Sequence, residues 1–261
     1  WSEEKKLGTD ELLLTLPASD LEIVLGKYLA TLVIYEASLL LSVSYVAVLF
    51  YLGSPDLGLM FSNYLGYWFV GAALISVGML TSLVTKNATI AFILGALFCG
   101  ALMLTTSAAG AFSVSLERLL RPLVMETYFQ DFAKGILSLS AIFYFVAVTA
   151  FFLHLNVLVL SRRHWPSSGD GYPLWAHHTV RAVAIVIIII STGAILARGN
   201  SLRLDVTAER LHTLSDETRE LIAALPSDRP VFIQAYISPD VPEPFVQTRS
   251  NLVSILEEID S

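Results

Sequence analysis

The sequence has little charge and a single cysteine, and both shortages exclude whole classes of protein. Asp, Glu, Lys and Arg make up only 15% of the 261 residues, whereas 55% are hydrophobic and the mean hydropathy is +0.66. A soluble domain carries about 25% charged residues, so this composition predicts a membrane protein. Cys99 alone can form neither an internal disulfide nor a thiolate cluster for a metal.

Motifs for catalysis and nucleic-acid binding are absent as well. No Lys/Arg-rich block with interleaved aromatics occurs, which argues against nucleic acid as a partner. No Gly-x-Ser-x-Gly or His-Glu-x-x-His pattern and no metal-ligand cluster occur. The pair Gly26-Lys27 is no phosphate loop, because Leu21 stands where that motif has glycine and no Ser or Thr follows the lysine. We predict that the chain is not an enzyme and holds no metal or cofactor of its own.

The apolar residues gather into five runs. A membrane-spanning helix needs roughly 20 mostly apolar residues, and four runs meet that length: residues 28–52, 64–84, 88–116 and 135–160. The fifth run lies between Arg181 and Arg198 and spans a bilayer only if both arginines extend to the interfaces. The pattern predicts an all-α polytopic membrane protein with about five transmembrane helices in this fragment.

Basic residues in the short connections orient these spans. Lys and Arg concentrate on the cytoplasmic side of membrane proteins, and here they occupy alternate connections: Lys5, Lys6 and Lys27, then Lys86, then Arg162, Arg163 and Arg181. The last span then places residues 199–261 outside, and residues 200–261 hold 11 acidic residues, 5 arginines and no lysine. The inverted topology would place Arg162, Arg163 and Arg181 outside.

We divide the chain into five parts: a cytoplasmic elbow at 1–27, a transmembrane region at 28–161, a cytoplasmic linker at 162–179, an additional transmembrane helix at 180–198, and the start of an extracytoplasmic α/β domain at 199–261. Within the second part, leucines at helical spacing and Pro122 predict short interfacial helices near 113–135. The linker contains the turn-rich segment SSGDGYP. In the last part we predict helices at 216–225 and 245–259 and a strand at 231–237.

The elbow contains two helix signals in succession. Thr9 is a candidate N-cap, Glu11 lies in the first turn, and Leu12 and Leu13 follow before Pro17 ends the helix.

Ser19 and Glu22 then form an S-x-x-E capping box for a second helix, in which Gly26 permits close packing and Lys27 anchors at the headgroups. The result is a short amphipathic helix, a bend, and a rigid helix that enters the bilayer. Such an elbow can transmit a push from a cytoplasmic partner.

These residues resemble the coupling-helix region of ABC-2 family permeases, particularly the GldF type. The likeness is carried by residues 3–5, 8–9, 11–15, 17, 19 and 22–27, and extends to 83–87 and 128–136. It implies that the elbow sits in a groove of an ABC ATP-binding subunit that binds Mg-ATP, with the coupling residues Gly8, Thr9, Glu11, Leu12, Leu13, Pro17, Ser19, Glu22, Gly26 and Lys27. It also implies a second permease copy and the bacterial cytoplasmic membrane, in which the chain is multi-pass.

The tail resembles a different protein. Residues 203–207 and 213–218 are similar to the start of GldG-type auxiliary proteins, which have one span followed by an extracytoplasmic α/β domain. The chain thus reads as a GldF-like permease fused to a GldG-like domain. Since it begins at Trp1 with a charged stretch, and the resemblance places two further spans upstream, we interpret it as an internal piece of a longer protein.

Glu36 is the one charged residue inside the first four runs. A carboxylate at that depth must face protein or water, so it is either part of a translocation path or an internally hydrogen-bonded structural residue. His154 and Asn156 are expected to form interhelical hydrogen bonds. The predicted function is ATP-driven export through a permease subunit. The alternative is a non-transporting mechanotransmission or scaffold complex that acts through the extracytoplasmic domain.

Overall fold

The computed structural model describes residues 1–15, 17–103, 124–162, 174–198 and 203–208, and within the tail also 233–236, 238, 248–249, 252–253 and 256. The helices of this described part are α1 Ser2–Leu7, α2 Asp10–Leu14, α3 Asp20–Leu52, α4 Leu57–Val84, α5 Ala88–Met103, α6 Met125–Ala133, α7 Leu139–Ser161 and α8 Leu174–Arg198. Two three-residue strands, β1 Ile136–Ser138 and β2 Arg203–Asp205, complete it.

Three of these helices, α3, α4 and α7, are long and apolar enough to cross a membrane, while α5 and the apolar part of α8 are shorter. Apart from residues 135–138, the described parts of the predicted runs are helical, and α3, α4 and α8 begin earlier than expected. Helix α8 starts at Leu174, inside the predicted cytoplasmic linker. The capping box at Ser19 starts α3, and no Pro interrupts it, so the second elbow helix and the first span are one helix of 33 residues. Asp56 caps α4, which begins seven residues before the predicted Tyr64.

Helix α4 lies at the centre of the bundle and packs against α3, α5, α6 and α7. Its small residues allow close approach, as is usual where helices pack in membranes. A Cβ atom on Gly66 would lie 2.7 Å from the Cβ of Phe132, and one on Gly71 would lie 2.3 Å from the ring of Tyr35. Two buried clusters flank α4: one joins it to α3 and the end of α7, and the other joins it to α6 and the start of α7.

A polar contact also fixes α7 on α4. The buried Asn156 side chain donates hydrogen bonds to the carbonyls of Ser76, at 3.1 Å, and Phe152, at 2.9 Å. The first of these joins two helices, so the prediction of an interhelical hydrogen bond is confirmed for Asn156.

The region before α7 is folded differently from the prediction. Residues 136–138 form β1 instead of the first turn of a span, and the Ser138 hydroxyl accepts a hydrogen bond from the amide of Ala141 to begin α7. Of the predicted interfacial helices, α6 is present with Met125 and Phe132 buried, and residues 104–123, including Pro122, lie outside the described residues.

The strands pair antiparallel with each other, with Leu137 opposite Leu204. Strand β2 therefore adds to the end of the helical bundle instead of starting a sheet within the tail. The prediction of an α/β domain at 199–261 is not supported by the described residues, because 233–236 of the predicted strand are neither helix nor strand. The described residues between 248 and 256 are helical, as predicted, and the helix predicted at 216–225 lies outside the description.

Candidate functional site

The elbow is fixed to the far end of α4. The backbone amide of Ser2 donates to the Ser82 hydroxyl at 3.0 Å, and the Lys5 ammonium donates to the carbonyl of Leu83. Ser2 is buried, so the start of α1 lies against the last turn of α4. We call this side of the bundle the elbow end.

Lys27 connects α3 to the same segment. Its ammonium forms an ion pair with Glu4 and lies 4.3 Å from the centroid of the Trp1 ring, in a cation–π contact. Both partners of the ion pair are partly exposed, so the pair contributes at most about 1 kcal/mol to stability. Its effect is geometric, because it holds α1 between α3 and α4. The sequence singled out Lys27 but not Glu4, since the two lie 23 positions apart with no helical repeat between them.

Gly8 and Thr9 turn the chain from α1 into α2. Gly8 has a left-handed backbone with φ of 72°, which glycine adopts with little strain, and its amide donates to the carbonyl of Glu4. The Thr9 amide and hydroxyl also donate to this carbonyl, at 3.0 and 3.4 Å. These bonds complete the end of α1, and the role of Thr9 as the N-cap of α2 stays a prediction.

Beyond this turn the elbow presents apolar side chains on its surface. Leu7, Leu12 and Leu21 are 69%, 71% and 53% exposed. Glu11 and Pro17 are exposed beside them, and Leu13 lies in α2 with its side chain outside the described atoms. Exposed apolar side chains on a segment outside the bundle make a candidate protein interaction surface. We call Leu7, Glu11, Leu12, Pro17 and Leu21 the elbow surface.

The predicted capping box is confirmed. The Ser19 hydroxyl accepts from the amide of Glu22 at 3.3 Å, and the Glu22 carboxylate accepts from the amide of Ser19 at 2.7 Å. Gly26 does not serve the close packing expected of it, because a Cβ atom there would meet nothing within 4 Å. That position of α3 is open toward solvent.

Glu36 accepts a hydrogen bond from the indole Nε1 of Trp68 on α4, at 2.8 Å. This contact fits the internally hydrogen-bonded alternative, and a place for Glu36 in a translocation path stays a prediction. A cavity of about 450 Å³ opens at the elbow end between α3 and α4, lined by Trp1, Lys27, Thr31 and Ser82 among others, and Glu36 is not among its lining residues. In the described residues no group of His, Cys, Asp or Glu could hold a metal ion.

The opposite end of the bundle carries contacts that the sequence did not reveal. We call residues 203–208, which comprise β2 and the three residues after it, the strap. The amide of Val206 donates to the carbonyl of Gly135 at 3.0 Å, and the amide of Ala208 donates to Asp56 Oδ2 at 2.9 Å. Asp56 Oδ1 accepts from the amides of Gly58 and Leu59, at 2.8 and 3.1 Å. One carboxylate therefore caps α4 and holds the strap. We call this side the strap end.

The charged form of Asp56 is favoured by these amides. The N–H groups of Ala208 and then Leu59 hold the pKa of the Asp56 carboxyl below its ordinary value, since their hydrogen bonds are stronger to the charged carboxylate than to the neutral acid. The other carboxylates nearby are partnered elsewhere: Asp205 accepts from Thr207 within the strap, and Asp131 of α6 accepts from Ser138.

Two glycines make room for the strap. A Cβ atom on Gly58 would lie 1.6 Å from the carbonyl oxygen of Val206, and one on Gly135 would lie 2.3 Å from Cγ2 of Thr207. Gly135 also has φ of 81°. The sequence does carry local signals for both ends of this contact: Asp56 is an acidic residue before an apolar run, and Gly135 is a glycine after a helix. Neither signal indicates that the strap packs against these residues.

Comparison with known proteins gives two separate matches, one before the strap and one that begins at its last residue. Residues 1–159 match the model of the family described as ABC-2 family transporter protein. Residues 208–261 match a domain of unknown function, DUF7088. No curated protein and no solved structure matches the chain. The first match covers the elbow and nearly all of the bundle through α7, and the second begins at Ala208, the last residue of the strap.

Proposed function

The chain belongs to the ABC-2 family of transporter proteins, and we propose that it is a permease subunit whose elbow receives the motion of a separate ATP-binding subunit. Membership of the family and the apolar helices make it a multi-pass membrane protein and not itself the catalytic subunit. ATP binding and hydrolysis, with Mg-ATP, take place in the partner, and the bundle couples them to export across the bilayer.

The observation that carries this proposal is the contrast within the elbow itself. Its inner side is fixed to the bundle through Ser2, Lys5 and Lys27, whereas its outer side exposes Leu12 and Leu21. A segment that is firmly attached on one side and apolar on the other can pass a displacement from a bound protein into α3 and α4. Coupled switching requires such a contiguous physical connection.

A second permease copy is part of the proposal. Helix α3 exposes apolar side chains along most of its length within the described chain, including Val33, Ile34, Leu40 and Leu41. Lipid or another apolar helix must cover them. We further propose the bacterial cytoplasmic membrane as the location, with the basic elbow end inside and the strap end outside, and a GldF-like permease fused to a GldG-like segment as the finer identity.

The strap favours a second candidate function, mechanotransmission to the outer segment without passage of a substrate. Hydrogen bonds from Val206 and Ala208 join the tail to the bundle. A substrate path alone does not require this attachment. Removal of the tail after Tyr172 separates the two functions, because export activity that survives the deletion would contradict the scaffold interpretation.

The test of the elbow is a comparison of Leu12→Asp with Leu57→Asp in the full-length protein expressed with its ATP-binding subunit. Both leucines are largely exposed, at 71% and 64%, but they lie at opposite ends of the bundle. We expect Leu12→Asp to reduce co-purification of the ATP-binding subunit and its permease-dependent Mg-ATPase activity at least tenfold, roughly the cost of a charge on an apolar interface.

Leu57→Asp should leave both measurements unchanged, and both variants should insert into the membrane normally. Equal behaviour of the two variants would show that the elbow surface does not contact the ATP-binding subunit. The coupling roles proposed for Gly8 through Lys27 would then be wrong.

A further inference from the structure

Helix α4 touches both the elbow and the strap. Its last turn receives α1 through Ser82 and Leu83, and its first turn receives the strap through Asp56 and Gly58. At about 1.5 Å per residue its 28 residues span about 42 Å. One uninterrupted helix thus joins two attachment points at opposite ends of the bundle.

We propose that α4 is a rigid transmission element that carries the tail: the strap stays docked on the first turn of α4 and on β1 while the elbow moves the other end of the same helix. This inference rests on the proposed function, because the elbow supplies the movement. It assigns to the strap end a receptor site for an extended peptide segment, and the occupant is this chain's own residues 203–208.

The receptor site is built for an extended segment. Strand β1 supplies a ladder partner, with Ser138 opposite Arg203 at its far end. Gly135 and Asp56 then accept the next backbone amides, from Val206 and Ala208. Backbone hydrogen bonding of this kind is how sheet edges capture a further strand.

The absence of side chains at Gly58 and Gly135 completes the fit. At Gly58 the strap carbonyl lies where a Cβ atom would be, so any other residue must displace the strap. Gly58 is within the first turn of α4, where alanine is otherwise preferred to glycine in a helix. We therefore expect Gly58→Ala to weaken docking of the strap without destabilising α4, so this variant tests docking selectively.

Gly53 offers the matched control. It lies five residues before Gly58, in the connection between α3 and α4, where a Cβ atom meets nothing within 4 Å and its φ of −176° is an extended conformation open to any residue. Gly53→Ala therefore makes the same chemical change without touching the strap.

The experiment measures docking by disulfide cross-linking between β1 and β2. Cys99 is the single native cysteine, so a Cys99→Ala background with Leu137→Cys and Leu204→Cys contains one defined pair. Residues directly opposite in an antiparallel ladder lie about 4.5–5.5 Å apart, within disulfide reach. The full chain with its ATP-binding subunit is reconstituted in lipid nanodiscs and oxidised without nucleotide and with ADP and vanadate trapped.

We expect the pair to cross-link at the same rate, within about twofold, in both nucleotide states. Gly58→Ala should slow cross-linking about tenfold, the effect of losing one strong hydrogen bond, and Gly53→Ala should not slow it. Cross-linking in only one nucleotide state would overturn the proposal, since the strap would then detach during the cycle. Equal rates in Gly58→Ala and Gly53→Ala would also overturn it.

The outcome is separable from that of the elbow test. A docked strap with an elbow that does not respond to Leu12→Asp would contradict the proposed function and leave the attachment intact. A strap that does not cross-link, in a protein whose elbow responds to Leu12→Asp, would contradict this inference alone.

Discussion

The two ends of the bundle differ in how their polar groups are paired and in what their surfaces expose. At the strap end the available backbone acceptors and the carboxylate of Asp56 are occupied by a segment of the same chain. At the elbow end Leu7, Leu12 and Leu21 remain exposed in the described structure. Two helical glycines show the same contrast, because the strap occupies the space beside Gly58 in α4 and nothing lies within 4 Å of a Cβ atom built on Gly26 in α3. Leu57 is also exposed at the strap end, so the contrast lies in the polar groups: the described backbone groups and Asp56 of the strap end are paired within the chain, whereas the elbow surface is the candidate site for another protein.

The largest effect that separates the two ends is expected from Phe132→Ala. Phe132 is fully buried at the strap end, with its ring 5.8 Å from that of Phe69 and 6.2 Å from that of Phe145. Loss of a buried phenylalanine costs about 3–5 kcal/mol, so thermal unfolding in detergent should occur at a clearly lower temperature. Phe61→Ala, at an exposed position of α4, is the control and should change the transition little.

The same Phe132→Ala variant should also keep its binding to the ATP-binding subunit. At a temperature where both variants are folded, Phe132→Ala should still co-purify with the ATP-binding subunit, because the elbow contacts lie on the last turn of α4. If it lost the partner as completely as Leu12→Asp, the two ends would not be independent.

An intermediate effect is expected from acidification. Because the pKa of Asp56 is lowered in the docked state, docking is favoured above the ordinary carboxyl pKa and weakens as pH falls through the lowered value. Spin labels at residues 137 and 204 should therefore report a short distance at neutral pH and a growing population of longer distances under acid conditions.

Asp56→Asn supplies the control for that titration. The amide oxygen still accepts a hydrogen bond but cannot titrate, so the strap should be weakened several-fold at neutral pH and the pH dependence should disappear. Asp205 and Asp131 remain in this variant. A pH dependence that persisted in this variant would show that Asp56 is not its source.

The smallest effect is expected from Gly26→Ala, which tests directly whether the ATP-binding subunit covers the surface at the elbow end. Alanine in place of an exposed helical glycine stabilises a helix by up to about 1 kcal/mol, and nothing in the described chain obstructs it. The isolated permease should therefore be unchanged or slightly more stable, whereas its affinity for the ATP-binding subunit should fall. Gly100→Ala in α5 is equally unobstructed and should alter neither property. An unchanged affinity would show that the partner does not occupy the surface at Gly26.

The sequence predicted those features that follow from neighbouring residues. The capping box of Ser19 and Glu22 needs only a spacing of three, and the apolar runs need only their own length. The helix that begins at the capping box was predicted to enter the bilayer, and it does so as one helix from Asp20 to Leu52, because no residue in that stretch breaks it.

Contacts between distant positions were beyond sequence reasoning. The ladder joins residues 136–138 to 203–205, and a three-residue strand has too few positions for alternation to be recognised. The role of Gly58 is invisible for a related reason, because the atom that excludes a side chain there belongs to Val206. The partner of β2 is β1 of the bundle, and the residues of the tail alone do not specify it.

The pairing of β1 with β2 also restricts how the chain is inserted during synthesis. The two strands can meet only on one face of the membrane, so the polypeptide between Ser138 and Arg203 must cross it an even number of times. Helix α7 is long and apolar enough for one crossing, and α8, whose apolar part is shorter, would have to supply the second. A protein in which α8 failed to insert would leave β2 on the wrong face with its ladder bonds unmade. Closure of this ladder thus requires that the segment from α7 through α8 leave β2 on the same face of the membrane as β1.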